Sequence, residues 1–283
     1  MMQLWHWLAL GTILGSSLSS LYLRKIMKDD ENDPILFSIT FQFILGFIVL
    51  IYALYRGFTF PPPLELWIRF VLGGVLYAFG TLCAFYASKK IGAGEFTILT
   101  SISSLITILL GVFLLGNQFG WERILGTFFI LSSIVILYTK ERIKINKGVW
   151  YALGVAFFYG IAVVNDVIIL RRYDVMSFLP LMCFLPGLVI LIMFPRRVLM
   201  IRRLLKPKPL QHIILYSFFY GIASIFFYQA LANGAPISQL SPLSRASIIV
   251  TVILSALFLG ERKDIKRKIL SAGLVSVGVL LLA

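Results

Sequence analysis

The chain has 283 residues, of which 59% are hydrophobic and only 13% charged. A water-soluble domain carries about 45–50% apolar and about 25% charged residues, so a mean hydropathy of +0.93 excludes an ordinary soluble enzyme, and it excludes a disordered chain as well. The net charge of +14 would point to nucleic acid in a soluble protein, but here Lys and Arg fall between apolar runs. They therefore read as determinants of membrane orientation, and no nucleic-acid partner is expected.

Only helices and closed barrels span lipid, because every backbone polar group there needs a partner. The apolar runs are continuous and of helical length rather than short and alternating, so the chain reads as an all-α membrane protein. Ten segments follow in order, at 4–23, 34–55, 66–88, 93–115, 120–138, 148–170, 175–194, 210–232, 236–259 and 267–283. The first lacks a positive leading region and a small-residue cleavage site, so it reads as a retained helix and not a signal peptide. Two connections stand out. One is the turn Pro61-Pro62-Pro63; the other is the stretch 195–209, whose Arg196, Arg197, Arg202, Arg203, Lys206 and Lys208 alternate with Val198, Leu199 and Leu204. That second pattern suits either a short interfacial helix on an anionic leaflet or a solvated basic loop. Cys83 and Cys183 sit inside apolar runs with no metal or redox spacing, so neither a metal nor a cofactor is expected.

Lys and Arg number 20 in connections 1–2, 3–4, 5–6, 7–8 and 9–10, and 5 in the other four; the remaining one is Arg245. The positive-inside rule puts the first set in the cytoplasm and hence both termini outside.

An internal repeat decides the architecture. Residues 85–117 (FYASKKIGAGEFTILTSISSLITILLGVFLLGN) and 227–261 (FYQALANGAPISQLSPLSRASIIVTVILSALFLGE) both begin Phe-Tyr, pass Gly-Ala at a helix break and close on Leu-Gly. The helices that follow match too, at 123–137 and 268–282, and Gly15 to Ser20 corresponds more weakly to Gly160 to Asn165. The spacing is about half the chain, so two units are expected, 1–143 and 144–283, of five helices each. Five is odd, so the second unit enters the membrane in the opposite sense. The expected fold is ten transmembrane helices as two inverted repeats around a central cavity.

The Phe-Tyr-x-Ala-Leu…Gly-Ala…Leu-Gly-Glu pattern of 227–261, weaker at 85–117, resembles the EamA-type branch of the drug/metabolite transporter superfamily. The resemblance implies exporters or exchangers of amino acids and other small metabolites, with a cavity lined by the first, third, fourth, sixth, eighth and ninth helices. It also implies both termini in the cytoplasm, opposite to the Lys/Arg count. Asn117 stands where the pattern has Glu, while Glu261 keeps it.

Ionisable groups inside spans are costly and are functional candidates by default. Arg245 lies about 13 Å below Pro236 at the rise of an α-helix, near mid-membrane, on a stripe with Ser238 and Ser241. A guanidinium there suits a substrate carboxylate or phosphate. Asp166, beside Asn165 near the end of the sixth segment, lies at a depth from which Arg245 is reachable, so the two are expected to pair in at least one state. A carboxylate freed when substrate takes Arg245 could carry a coupling proton. A bond from Asp166 to Arg171 or Arg172 is the alternative.

Tyr216, Tyr220, Ser224 and Tyr228 form a stripe on the eighth segment, Tyr77 and Thr81 lie in the corresponding region of the third, and Tyr159 shares a face with Val163 and Asp166; these suit a cavity wall able to hold a cation, or plain packing. Thr97, Thr100, Ser101 and Ser104 share a face of the fourth segment, Gln229 and Gln239 are further polar candidates, and Gln42 reads as packing. Gly11, Gly15 and Ser19, and Ala152, Ala156 and Gly160, have the spacing that lets helices approach closely. No P-loop, metal-binding His-Glu motif or nucleophile triad is present, so an enzyme is not expected. The functional expectation is a secondary transporter, an exporter or exchanger in the cell membrane, functional as a monomer. It would move a small polar metabolite, foremost an amino acid or related compound, by alternating access, with the proton as candidate coupling ion. A multidrug or quaternary-amine exporter and a non-transporting membrane scaffold are the alternatives.

Overall fold

The computed structural model describes residues 4–115, 120–138, 146–204, 206–233, 240, 244–262 and 264–282. Among these there is helix and connection but no strand. The helices are α1 (Leu4–Met27), α2 (Pro34–Arg56), α3 (Trp67–Lys90), α4 (Ala93–Thr100), α5 (Ile102–Leu115), α6 (Trp121–Tyr138), α7 (Lys147–Leu170), α8 (Val175–Met193), α9 (Pro207–Ala232), α10 (Ser247–Phe258) and α11 (Ile265–Leu282). Each of the ten apolar segments thus carries helix. By length and apolarity five described stretches are fit to cross a membrane: Pro34–Arg56, Leu64–Lys90, Lys147–Leu170, Val175–Met193 and Pro207–Ala230; Ile124–Ser133 and Ser247–Phe258 are apolar but shorter.

Local chemistry sets several helix starts. Asp33 accepts from the Ile35 and Leu36 amides (2.9 and 3.0 Å) ahead of α2, whose first residue is Pro34. Asn146 caps α7 and Asp174 caps α8 in the same way, each satisfying donors that a helix leaves orphaned at its N-terminus. The surface is inverted relative to a soluble protein. Ile51, Ile68 and Ile192 are 70–80% exposed, whereas Ser17, Ser38, Thr81 and Asp166 are buried. Apolar side chains face outward because lipid, not water, is the solvent there.

The most extensive packing joins helices before residue 139 to helices after residue 146. It pairs α1 with α9, α3 with α7, α6 with α11 and α2 with α8; smaller contacts pair α3 with α8, α2 with α9, α5 with α7, and α1 and α4 with α10. Exchanging α1 for α7, α2 for α8, α3 for α9, α4–α5 for α10 and α6 for α11 maps these pairs onto one another. Close approach depends on missing side chains. A Cβ on Gly11 would sit 2.3 Å from the Phe226 ring, one on Gly15 3.0 Å from Ala223, and one on Gly278 2.8 Å from the Gly126 carbonyl oxygen. Gly160 lies equally close to Ile106 of α5. The small residues of α1 and α7 therefore do seat these helices against the other half.

Two interruptions position the site. α4 stops at Thr100, Ser101 makes a turn, and α5 resumes at Ile102. About one repeat spacing later, Arg245 and Ala246 form a turn from which α10 starts. The basic stretch forms a 3-10 helix over Pro195–Arg203, with Leu199 82% exposed. It is also tied to the start of α2, through Arg197 to Asp33 (2.8 Å) and Lys206 to Glu31 (3.5 Å).

Candidate functional site: a two-chambered cavity

The larger chamber, about 320 Å³, lies where α1, α4, α9 and the start of α10 meet. Its volume is at the lower end of the range for small-molecule sites, ~300–1,000 Å³. Arg245 stands on its wall, and no carboxylate among the described residues pairs with it. Around it are hydroxyls. Those of Ser20, Thr97, Thr100 and Ser224 donate to carbonyls of their own helices, to Ser16, Ala93, Phe96 and Tyr220 respectively. With their protons committed, these oxygens present lone pairs to the chamber. The wall therefore combines one strong cationic donor with several acceptors, and α10, whose N-terminus carries the positive end of its dipole, begins two residues after Arg245.

The smaller chamber, about 110 Å³, is built by α2, α3, α7, α8 and α9. Asp166 is its charged group. The Tyr77 hydroxyl donates a short hydrogen bond to Asp166 Oδ2, while Asp166 Oδ1 is buried and has no partner. Next to it Gln42 Nε2 donates to Thr81 Oγ1 (2.8 Å), which lies 3.1 Å from the Tyr159 hydroxyl. Tyr77 and Tyr159 rings are 5.3 Å apart. Tyr220, Ser224 and Tyr228 line both chambers, which therefore adjoin at these side chains.

Of the residues singled out in the sequence, Arg245 and Thr100 lie on the larger chamber, Tyr77, Tyr159 and Asp166 on the smaller, and Tyr220, Ser224 and Tyr228 on both. Thr81 is buried behind the smaller chamber and braces Tyr159. Asn165 faces away from it; its Nδ2 donates to the Arg69 carbonyl (2.9 Å) and its Oδ1 is unpartnered. Gln239 and Ser241, with Ser238, Pro236 and Asn117, lie outside the described residues. Tyr216 belongs to the core, stacked on Phe41 at 4.4 Å. Asp166 does not pair with Arg245, Arg171 or Arg172 in this structure; Arg172 bonds the exposed Glu65 instead. Helix rise sets depth but not direction around the axis, and α7 turns Asp166 toward α3. Thr12, Ser16, Ser19 and Ser20 of α1 and Gln42 of α2 were not anticipated as lining; the serine-rich run Gly15-Ser16-Ser17-Leu18-Ser19-Ser20 was the available signal, of which only Gly15 and Ser19 were read, as packing.

One end of the assembly carries a tie between the halves. Arg24 Nε bonds Glu261 Oε1 (3.1 Å), its Nη1 donates to the Ser88 carbonyl (2.6 Å), and Glu261 Oε2 accepts from the Ala93 amide (2.9 Å) at the start of α4. The paired side chains are 17% and 14% exposed. At the other end Arg172 and Glu65 pair in the open (3.1 Å; 70% and 78% exposed), and the Thr59 amide donates to Ser177 Oγ (2.9 Å).

Among the described residues, a helical body with an outward apolar surface and a polar interior cavity between its two halves is that of a multi-pass membrane protein. The sequence profile of the EamA-like transporter family matches the chain twice, over residues 3–139 and 146–283. The chain belongs to that family, and is therefore a membrane transporter of the drug/metabolite type. No curated protein matches it. Its fold is similar to that of a protein crystal structure at TM-score 0.67 and 16% identity, covering 97% of this chain and 94% of that one.

Proposed function

We propose that this protein is a secondary transporter that moves a small polar metabolite bearing an anionic group, foremost an amino acid or related compound, by alternating access. The observation that carries this reading is Arg245, a guanidinium without a carboxylate partner among the described residues, on the wall of a 320 Å³ cavity between the halves. A charge held inside an apolar bundle is expensive, and an anion bridged by guanidinium and the α10 N-terminus would offset that cost.

The reading includes ten spans arranged as two inverted five-helix repeats, 1–143 and 144–283, in a cell membrane, with the cavity at their junction. Its supports are the twofold match of the family profile, the packing pattern that survives exchange of the halves, and the helix breaks at Ser101 and at Arg245–Ala246. On this reading the Arg24–Glu261 tie is a gate. It must open when the halves rock, and the Lys/Arg count puts it on the cytoplasmic side. Asp166 is the candidate for proton coupling, and one chain is sufficient to form the pathway.

The test is solute exchange in proteoliposomes. Purified protein loaded with unlabelled amino acid should accumulate labelled amino acid by counterflow, and Arg245→Ala should abolish this while Arg245→Lys retains a fraction. Equal counterflow by wild type and Arg245→Ala would end the proposal.

A further inference from the structure

The two chambers carry opposite chemistry. The larger offers a guanidinium. The smaller offers a carboxylate whose Oδ2 takes the Tyr77 proton and whose Oδ1 is buried with no donor. A buried carboxylate oxygen left without a donor is costly. No side chain of the chamber donates to it in this structure: Gln42 Nε2 is committed to Thr81, the Tyr228 hydroxyl on the same wall makes no bond to it, and Phe178, Leu179 and Met182 carry no donor. Between the chambers stand Tyr220 and Tyr228, whose ring bodies are apolar and whose faces attract cations.

We propose that one elongated zwitterion occupies both chambers at once: its carboxylate on Arg245, its methylene spacer between Tyr220 and Tyr228, and its terminal ammonium on Asp166 Oδ1. This rests on the anion-site reading above and narrows it to a substrate class, ω-amino acids and diamino acids. A neutral α-amino acid holds its two charges on one carbon and fills only one chamber. An ammonium suits the smaller chamber because it is compact, carries three donors and fits about 110 Å³. The Tyr77 hydroxyl positions the carboxylate by holding Oδ2, which leaves Oδ1 as the oxygen without a protein donor and so the one for the ligand ammonium.

The experiment is a ligand panel on purified protein read by thermal unfolding, in which a ligand that binds the folded state raises the melting temperature by mass action. The probes are 5-aminovalerate, lysine, alanine and valerate, against wild type, Arg245→Ala, Asp166→Asn and Tyr77→Phe. Wild type should bind 5-aminovalerate and lysine at least tenfold more tightly than alanine or valerate. Asp166→Asn should weaken 5-aminovalerate by about 10- to 150-fold, the range for a charge-assisted hydrogen bond, and leave valerate unchanged; Tyr77→Phe should produce a smaller loss in the same sense. If alanine binds as tightly as 5-aminovalerate, or Asp166→Asn weakens valerate and 5-aminovalerate alike, the two-chamber assignment is wrong while the anion site stands. If no carboxylate-bearing probe gives an Arg245-dependent shift, the anion site itself fails. Should Asp166→Asn not fold, Tyr77→Phe with the same four ligands decides between these outcomes.

Discussion

Glu261→Gln separates the gate from the rest of the structure. The substitution preserves shape and an oxygen able to accept from the Ala93 amide, but removes the charge that holds Arg24. Both side chains are less than one-fifth exposed, so the pair has the character of a charge-assisted hydrogen bond screened little by solvent, worth about 1.5–3 kcal/mol. The bond joins α1 to the segment after α10, and on the gate reading it is made only while that end is shut. Its loss should therefore shift the closed-to-open ratio by about 10- to 150-fold. Ser20 of α1 lines the larger chamber on the gate side of Arg245. A Ser20→Cys reporter, with Cys83 and Cys183 replaced by Ala, reads the opening as the rate of modification by a membrane-impermeant thiol reagent in proteoliposomes. Glu261→Gln should raise that rate by at least tenfold. Glu65→Gln, which breaks the open Arg172 pair, should change it less than about fivefold, because exposed pairs contribute about 0–1 kcal/mol. Equal rates in wild type and Glu261→Gln, or an equal rise in Glu65→Gln, would show that the tie does not gate the cavity.

Three further outcomes are expected. Gly278→Ala puts a Cβ 2.8 Å from the Gly126 carbonyl oxygen, a backbone atom that cannot rotate away; α6 and α11 must separate, lowering stability by about 1–3 kcal/mol and the apparent melting temperature with it. Gly80→Ala places a Cβ 2.2 Å from the Tyr159 ring and drives that ring from the Thr81 contact; ligand-induced thermal stabilisation should weaken by about tenfold while helix content by circular dichroism is retained. Asp166→Asn should remove the response of counterflow-competent protein to an imposed proton gradient, measured as solute accumulation with and without a pH difference across the vesicle; an undiminished response would remove Asp166 from the coupling step.

Hydropathy placed helix in all ten apolar segments, because a run of lipid-compatible residues has few other stable forms. The cost of a charge in such a run picked out Arg245 and Asp166, and both face interior cavities. Direction around a helix axis was harder to read. Tyr216, Tyr220 and Tyr228 follow one stripe, yet Tyr216 lies a turn nearer the core and packs on Phe41 and Phe85 while the other two reach the chambers. Asp166 was placed by depth opposite Arg245, but its bond goes to Tyr77, 89 residues away on α3. Ser19 of α1 has close-packing spacing in the sequence, yet it lines the larger chamber together with Ser16 and Ser20, while Ser17 packs, donating to the Ser247 carbonyl (3.1 Å). The Arg24–Glu261 tie spans 237 residues, and its partners sit in connections whose charges read only as orientation signals.

Ser224 lies on the wall of both chambers, so a Ser224→Cys protein without Cys83 and Cys183 reports most directly on whether the space between the halves is the transport path. In proteoliposomes of known orientation, an impermeant thiol reagent should modify this cysteine from each side of the membrane in turn, and a bound zwitterion should slow both reactions. Modification from one side alone under every condition, or from neither, would contradict alternating access through this cavity.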